Sequence, residues 1–434
     1  MRLRLRVMRL VILALVSGWG ASGPVPGQLE RAPQRPPAEL VVQGGRIITM
    51  AGDVIEGGAI LIRDGKIVEV GKKVKSGERV RRVDARRKVV LPGLIDPYTR
   101  LGLIQISMVS STVDDDEGVE PSTPQVRALD AFNPLGRPVT FAREHGITTA
   151  LIGPRAGTSA TNVISGQGSV LRLHGQQVDA MILKSPASLH VTLGEGPKAR
   201  YAGRGQAPVS RMGEVALLRE ALAAGKDYAD AWARYEQNRQ IQPAKAEPPD
   251  RDLQKEALAA VLSGEMPLFI HCHRADDILS ALRVSKEFGI TPVLVHATEG
   301  YKVAAQIARA NVPVIVGPVS TIPDRMETLE ATPENPALLL RAGVRIALTT
   351  AESHLVSHLP YEAALAAANG LSDEAALRAI TLGAAEILGV ADRIGSIEEG
   401  KDADLVIFDG DPLEITTHVE WVIVKGEIVY RRGS

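Results

Sequence analysis

The apolar run Met266-Pro267-Leu268-Phe269-Ile270 ends in His271-Cys272-His273-Arg274. On a strand, residues two apart share a face, so both imidazoles point one way and Cys272 points the other, into packing. A second apolar run, Thr291 to Val295, closes on His296, and Asp277 to Glu287 between the two runs has helical spacing. Strand, helix and strand in that order form a parallel unit, because the crossover returns the chain to the same edge of the sheet. Each strand then ends in a residue type that binds metals and moves protons, at the end of a parallel barrel where chemistry collects. A single histidine at such a place is an ordinary satisfied polar residue. Three in one register mark a site or the relic of one.

The same alternation extends from about Pro92 to Val390. Apolar runs at Ile147–Ile152, Val312–Val316 and Val344–Leu348 read as strands, and Val215–Ala224, Val303–Ala310 and Ser372–Ile387 read as helices. Ser372 is placed to cap the last of these, with Asp373 and Glu374 in its first turn. The expected fold is α/β, a (β/α) barrel over residues 92–390. A doubly wound open sheet is the alternative, but no Gly-rich fingerprint follows a first strand. Residues 39–91 and 391–434 instead carry short β-branched runs. Arg63-Asp64-Gly65-Lys66 sits between two of them, and Asp-Gly is a hairpin signal. Two strand-rich ends imply a small β domain built from both ends of the chain, with the barrel inserted into it.

The 434 residues hold 50 Lys and Arg against 51 Asp and Glu, a net charge of -1, so no basic field points to nucleic acid or anionic lipid. Residues 1–27 place Arg2, Arg4, Arg6 and Arg9 before the apolar run Leu10–Val16 and the small residues Ala21-Ser22-Gly23. This is the pattern of a secretory signal peptide, with an uncleaved anchor as the alternative, and it makes the protein an exported, periplasmic or secreted one. Residues 28–38 continue a proline-rich linker. With Cys272 as the only cysteine, no intramolecular disulfide forms and the fold rests on core burial. Gln237–Asp252 and the acidic run Asp114-Asp115-Asp116-Glu117 read as solvated loops, and Asn162–Gly168 as a Gly-rich turn with no P-loop lysine. Arg200, Arg204 and Arg211 form a basic stretch that reads as a solvated loop before an anion site.

Val89-Val90-Leu91-Pro92-Gly93-Leu94-Ile95-Asp96 resembles the approach to the first barrel strand of the amidohydrolase superfamily. Gly400-Lys401-Asp402-Ala403-Asp404-Leu405-Val406 is similar to that superfamily's return into its β-sandwich, and Ala376–Val390 to the helix before it. The imidazolonepropionase-like and dihydroorotase-like members are nearest. The resemblance implies a distorted (β/α)8 TIM barrel with a small β-sandwich built from both chain ends, and hydrolysis of C–N bonds in cyclic amides and similar small molecules, with one or two divalent metals activating water and polarising the carbonyl.

Carried over residue by residue, the pattern is incomplete. Tyr98-Thr99-Arg100 stands where the family has His-x-His, and an arginine offers a metal no lone pair. His190 falls where the fourth strand supplies a bridging lysine, with Lys184 as the alternative. His271, or else His273, and His296 match the ligands of the fifth and sixth strands. Ala351 stands at the position of the eighth-strand aspartate, leaving Glu352 or His354 to act as base. Two functions follow. In the first the chain is a C–N hydrolase with a remodelled site, His190, His271 and His296 holding one zinc or other divalent ion at most, and Tyr98, Arg100 and His273 contacting substrate. In the second it is a catalytically silent homologue that holds no metal and serves as a binding or partner module. A small-molecule ligand fits both, and a homo-oligomer is compatible with either.

Overall fold

The computed structural model describes residues 39–77 and 80–433, so the expected signal segment and linker lie outside it. Five strands open the described chain: β1 (Glu39–Ile47), β2 (Ile55–Arg63), β3 (Lys66–Gly71), β4 (Arg81–Asp84) and β5 (Val89–Pro92). Eight follow: β6 (Leu94–Thr99), β7 (Ile147–Ile152), β8 (Ile164–Arg172), β9 (Ile182–Thr192), β10 (Leu268–Cys272), β11 (Val293–His296), β12 (Val314–Val316) and β13 (Ile346–Leu348). Three close it: β14 (Leu405–Phe408), β15 (Val419–Val424) and β16 (Glu427–Arg431). Among the described residues no helix is long and apolar enough to cross a membrane.

Both ends of the chain share one sheet, in the order β16-β15-β14-β5-β1-β2-β3 with β4 beside β1. The ends meet where β14 runs antiparallel to β5, Leu405 opposite Pro92 and Phe408 opposite Val89. At the expected hairpin, Asp64 and Gly65 both take positive φ (52° and 78°), the left-handed pair that a two-residue turn between twisted strands requires.

β6 to β13 lie side by side in chain order and form the nearly closed barrel. The barrel departs from an all-parallel one at β8, which is antiparallel to both neighbours. β8 also corrects the reading of Asn162–Gly168 as a turn, since most of that stretch is strand. Its glycines suggested a loop, but Gly168 is needed for close approach: a Cβ there would stand 2.7 Å from His190 Nε2. Two other expectations shift. The helix Arg211–Ile241 runs into the stretch expected as loop, because nothing before Pro243 stops it. The helix expected over Ser372–Ile387 divides into Asp373–Ala379 and Leu382–Leu388, with Ser372 capping the first. The break lets the Ile380 carbonyl accept from Ile95 N–H at 2.8 Å, tying β6 to the end of the barrel.

β6 and β13 form no ladder. Their seam is made by the buried Asp96, whose carboxylate accepts from the Thr349 and Thr350 hydroxyls at 2.6 Å each and from the Thr350 and Tyr98 N–H groups. The barrel and the terminal sheet are joined by Arg172, the last residue of β8, which donates to Asp404 at 3.0 Å and Asp402 at 2.6 Å within the protein. Replacing Asp96 by Ala strands three donors, since the Thr349 hydroxyl keeps the Tyr98 carbonyl at 2.6 Å, and each lost buried partner costs about 1–3 kcal/mol. The expected outcome in urea unfolding is a loss of about 3 kcal/mol or more, with Thr350→Val losing about 1. Indistinguishable midpoints for Asp96→Ala and the parent chain would show that the seam is held elsewhere.

Candidate functional site

Barrel strands run side by side, so the residues at their carboxyl ends face one mouth. β6 delivers Tyr98 and then Arg100, β9 delivers His190, β10 His271 with His273 just beyond, β11 His296, and the segment after β13 Ala351 and Glu352. Tyr98, His190, His271, His273 and His296 are all buried. Lys184 is excluded from this group, because it lies near the start of β9 and donates to the Leu388 carbonyl. His190 therefore occupies the fourth-strand position.

The imidazoles are linked in a line. Ser188 Oγ lies 2.8 Å from His190 Nε2, His190 Nδ1 lies 2.8 Å from His271 Nε2, His271 Nδ1 lies 3.2 Å from His296 Nε2, and His296 Nδ1 lies 2.7 Å from the Gly317 carbonyl. The carbonyl can only accept, so His296 carries its proton on Nδ1 and accepts at Nε2. The same step then repeats at each ring, and the line ends with the Ser188 hydroxyl donating to His190. One terminal acceptor thus sets three tautomers. All three rings are neutral: burial drives the pKa of His190 down to about 3 and of His296 to about 4, and burial with its imidazole neighbours lowers that of His271.

Tyr98 packs on this line. Its ring centroid is 5.3 Å from His190, 4.5 Å from His271 and 6.1 Å from His296, and its hydroxyl donates to the Pro154 carbonyl at 3.0 Å. Burial raises the phenol pKa, so it stays a donor. His273 stacks on His296 at 4.6 Å, with Nδ1 2.8 Å from the Thr298 hydroxyl and Nε2 without a partner among the described residues. His296 and Ala297 hold positive φ of 68° and 43°, strained for residues with a Cβ. Such strain collects at functional sites.

A divalent metal needs one lone pair from each ligand aimed at a common point. His271 instead turns Nε2 to one neighbour and Nδ1 to the other, so the three rings form a line rather than a cone. Each ring's single lone pair accepts a hydrogen bond. Tyr98 and the cationic Arg100 occupy the first-strand positions, and among the described residues no set of three His, Cys, Asp or Glu is arranged to hold a metal. The donor set does not fit the resident metal that the resemblance implied.

Arg100 donates to Asp115 and to Glu352, each at 2.9 Å. Asp115 corrects the reading of its acidic run as solvated: it is buried and also receives Arg155 at 2.7 Å. Two arginines distant in sequence neutralise it, which the run alone does not disclose. His354 is exposed, its Nε2 turned to the Gln105 carbonyl and its Nδ1 to Ser353. The structure does not bring it to the rings. Of the basic stretch, Arg200 and Arg204 reach the Gly118 carbonyl, whereas Arg211 starts a helix and pairs with Asp277 at 2.8 Å.

Sequence reasoning missed Ser188, although its spacing of two from His190 places both on one face. It also missed a buried carboxyl group of three, Glu214, Asp277 and Glu327, around Arg211 beside the Gly194 and Glu195 amides. Burial pushes Glu214 up to about 8 and Glu327 to about 7, so near neutral pH they hold protons. No spacing signalled this group, since its members come from three separate elements.

Residues 89–429 match the family model described as Amidohydrolase family. The amidohydrolase tasK of Hapsidospora irregularis is 26% identical over 381 residues, which are 82% of this chain but 38% of that protein, so the chain spans well under half of it. The imidazolonepropionase of Symbiobacterium thermophilum is 27% identical over 459 aligned residues, 92% of this chain and 99% of that one. Among solved structures, an amidohydrolase from Thermotoga maritima MSB8 superposes with a TM-score of 0.84 at 34% identity, covering 91% of this chain and 100% of that one. With its barrel, its terminal sheet and these likenesses, the chain belongs to the amidohydrolase family.

Proposed function

We propose that this amidohydrolase-family protein uses its barrel mouth to bind a small organic molecule and has set aside metal-assisted C–N hydrolysis. One observation carries the reading: the imidazoles at the fourth-, fifth- and sixth-strand ligand positions spend every ring nitrogen on one directional line from Ser188 to Gly317. The substitutions at Tyr98, Arg100 and Ala351 act in the same sense, each removing a metal donor while the turns and core are kept. What these residues do is hold a rigid, neutral floor of rings beneath a guanidinium. That arrangement binds and orients; it does not present a positioned carboxylate to activate water, a loss worth roughly two to four orders of magnitude in rate.

A second reading has specific support. The left-handed backbone at His296 stores strain at a ligand position, and the relatives include an imidazolonepropionase. On that reading the chain hydrolyses a non-peptide C–N bond with one ion on His190, His271 and His296 and with Glu352 as base.

Elemental analysis decides between the two. The chain is expected to purify with metal well below one ion per molecule and to gain none from added zinc, whereas Tyr98→His, Arg100→His and Ala351→Asp together restore binding. One ion per parent chain, with C–N hydrolysis lost on chelation, would establish the second reading instead. Ring 15N spectra give an independent check. His190, His271 and His296 should each show the neutral Nδ1–H pattern, retained by His190 and His296 down to about pH 4. An Nε2–H pattern at any of the three breaks the line.

A further inference from the structure

Arg100 enters the barrel mouth with its side chain 13% exposed, close enough to His296 to add to the effects that keep that ring neutral. The inner end of its guanidinium is fixed. Nη1 donates to Asp115 Oδ2, while Asp115 Oδ1 is held by Arg155 and the carboxylate is fully buried. The outer end is different. Nη2 donates to Glu352 Oε2 at 2.9 Å, and the Glu352 side chain is 43% exposed. The main chain at Glu352 is pinned, because its carbonyl accepts from the Arg100 N–H and from the Thr99 hydroxyl, just past the left-handed Ala351. Only the side chain of Glu352 is free to rotate, and turning it away needs no backbone movement.

The charge balance gives that rotation a consequence. Asp115 is shared between Arg100 and Arg155, and it engages Arg100 through Nη1 alone. Asp116 lies 3.9 Å from Arg155 and takes part of that guanidinium's charge, so turning Glu352 outward frees the Nη2 donors of Arg100 rather than a whole charge. An ion pair whose carboxylate is 43% exposed is screened by water on that side, so opening it costs no more than about a fivefold change in population. A planar guanidinium edge offers two parallel N–H groups that match a carboxylate, and a neutral amide cannot replace the lost charge.

We propose that Glu352 holds the place of a ligand carboxylate on Arg100, and that the barrel mouth takes a small organic carboxylate by exchanging it for this internal one. The exchange rests on the reading of the mouth as a binding site, and it names the ligand class. N-acetylglycine and its neutral counterpart N-acetylglycinamide serve as probes, titrated calorimetrically into the full chain, into Glu352→Gln and into Arg100→Met/Glu352→Gln. Glu352→Gln should bind N-acetylglycine up to about fivefold tighter than the parent, with no such gain for the amide, and the double variant should lose the gain. Arg100→Lys/Glu352→Gln, which keeps a cation beside Asp115, should retain part of it, and thermal melts of all variants establish that each is folded. Equal affinity of the parent and Glu352→Gln for the acid, or a gain that survives loss of Arg100, overturns the exchange. Metal content is read separately, so a zinc-loaded parent chain would refute the silent barrel without deciding the role of Glu352.

Discussion

The barrel mouth depends on one buried carboxylate. β6 and β13 are the first and last barrel strands, yet no ladder joins them, and Asp96 closes the gap by accepting four hydrogen bonds, three of them from Thr349 and Thr350 across the seam. Two residues beyond Asp96 comes Tyr98, and two further comes Arg100; one residue beyond Thr350 the chain turns left-handed at Ala351 and places Glu352 against that arginine. The positions of phenol, guanidinium and outer carboxylate are thus fixed by the same anchor. Burial pushes Asp96 up to about 6, offset by its donors, so near neutrality it is mainly ionised and its four bonds are charge-assisted.

Above that seam two buried titratable groups pull in opposite directions. His190 and His296 have folded pKa values below the ordinary 6.5, so the unfolded chain takes up protons first as pH falls. Their contribution to stability is complete above pH 6.5 and declines toward pH 4. Glu214 and Glu327 have folded values raised from 4.5 to about 8 and about 7, so the folded chain holds protons that the unfolded one releases. Their contribution is present below pH 4.5 and is lost as pH rises through 7 to 8. Between these limits each group changes stability by about 1.4 kcal/mol per pH unit, and the two sets offset one another. The imidazoles stay neutral through the neutral range, whereas Glu214 and Glu327 on the Gly194 and Glu195 amides titrate within it.

Much of this architecture was legible in the chain. The strand, helix and strand around His271 and His296, the Asp64-Gly65 hairpin and the Ser372 cap all follow from local spacing and turn chemistry, and the structure contains each of them. What escaped were features whose cause lies in contacts distant in sequence. Asp115 reads as part of a solvated run until Arg100 and Arg155 arrive to bury it, and β8 reads as a turn until His190 packs on Gly168. The orientation of the rings was beyond the sequence for the same reason, since Gly317 sets it from another strand. A residue type announces that a histidine stands at a strand end; only the neighbour on its far nitrogen decides whether it can be a ligand.

The side chains at the mouth also form one physical unit. Tyr98 fills the space between three rings and satisfies the Pro154 carbonyl, so a histidine there alone would leave both a void and an unpaired acceptor. Arg100 brings a positive charge that opposes a cation, but it also pairs with the buried Asp115, so removing it alone leaves that carboxylate on Arg155 only. Ala351 accommodates a left-handed turn in a buried position, where an aspartate carboxylate would have no cation unless Arg100 faced it or a metal took the arginine's place. Each position is stable only in the company of the others. A single substitution at Tyr98, Arg100 or Ala351 is therefore expected to cost stability that a combined change avoids, because each side chain answers a contact made by the others.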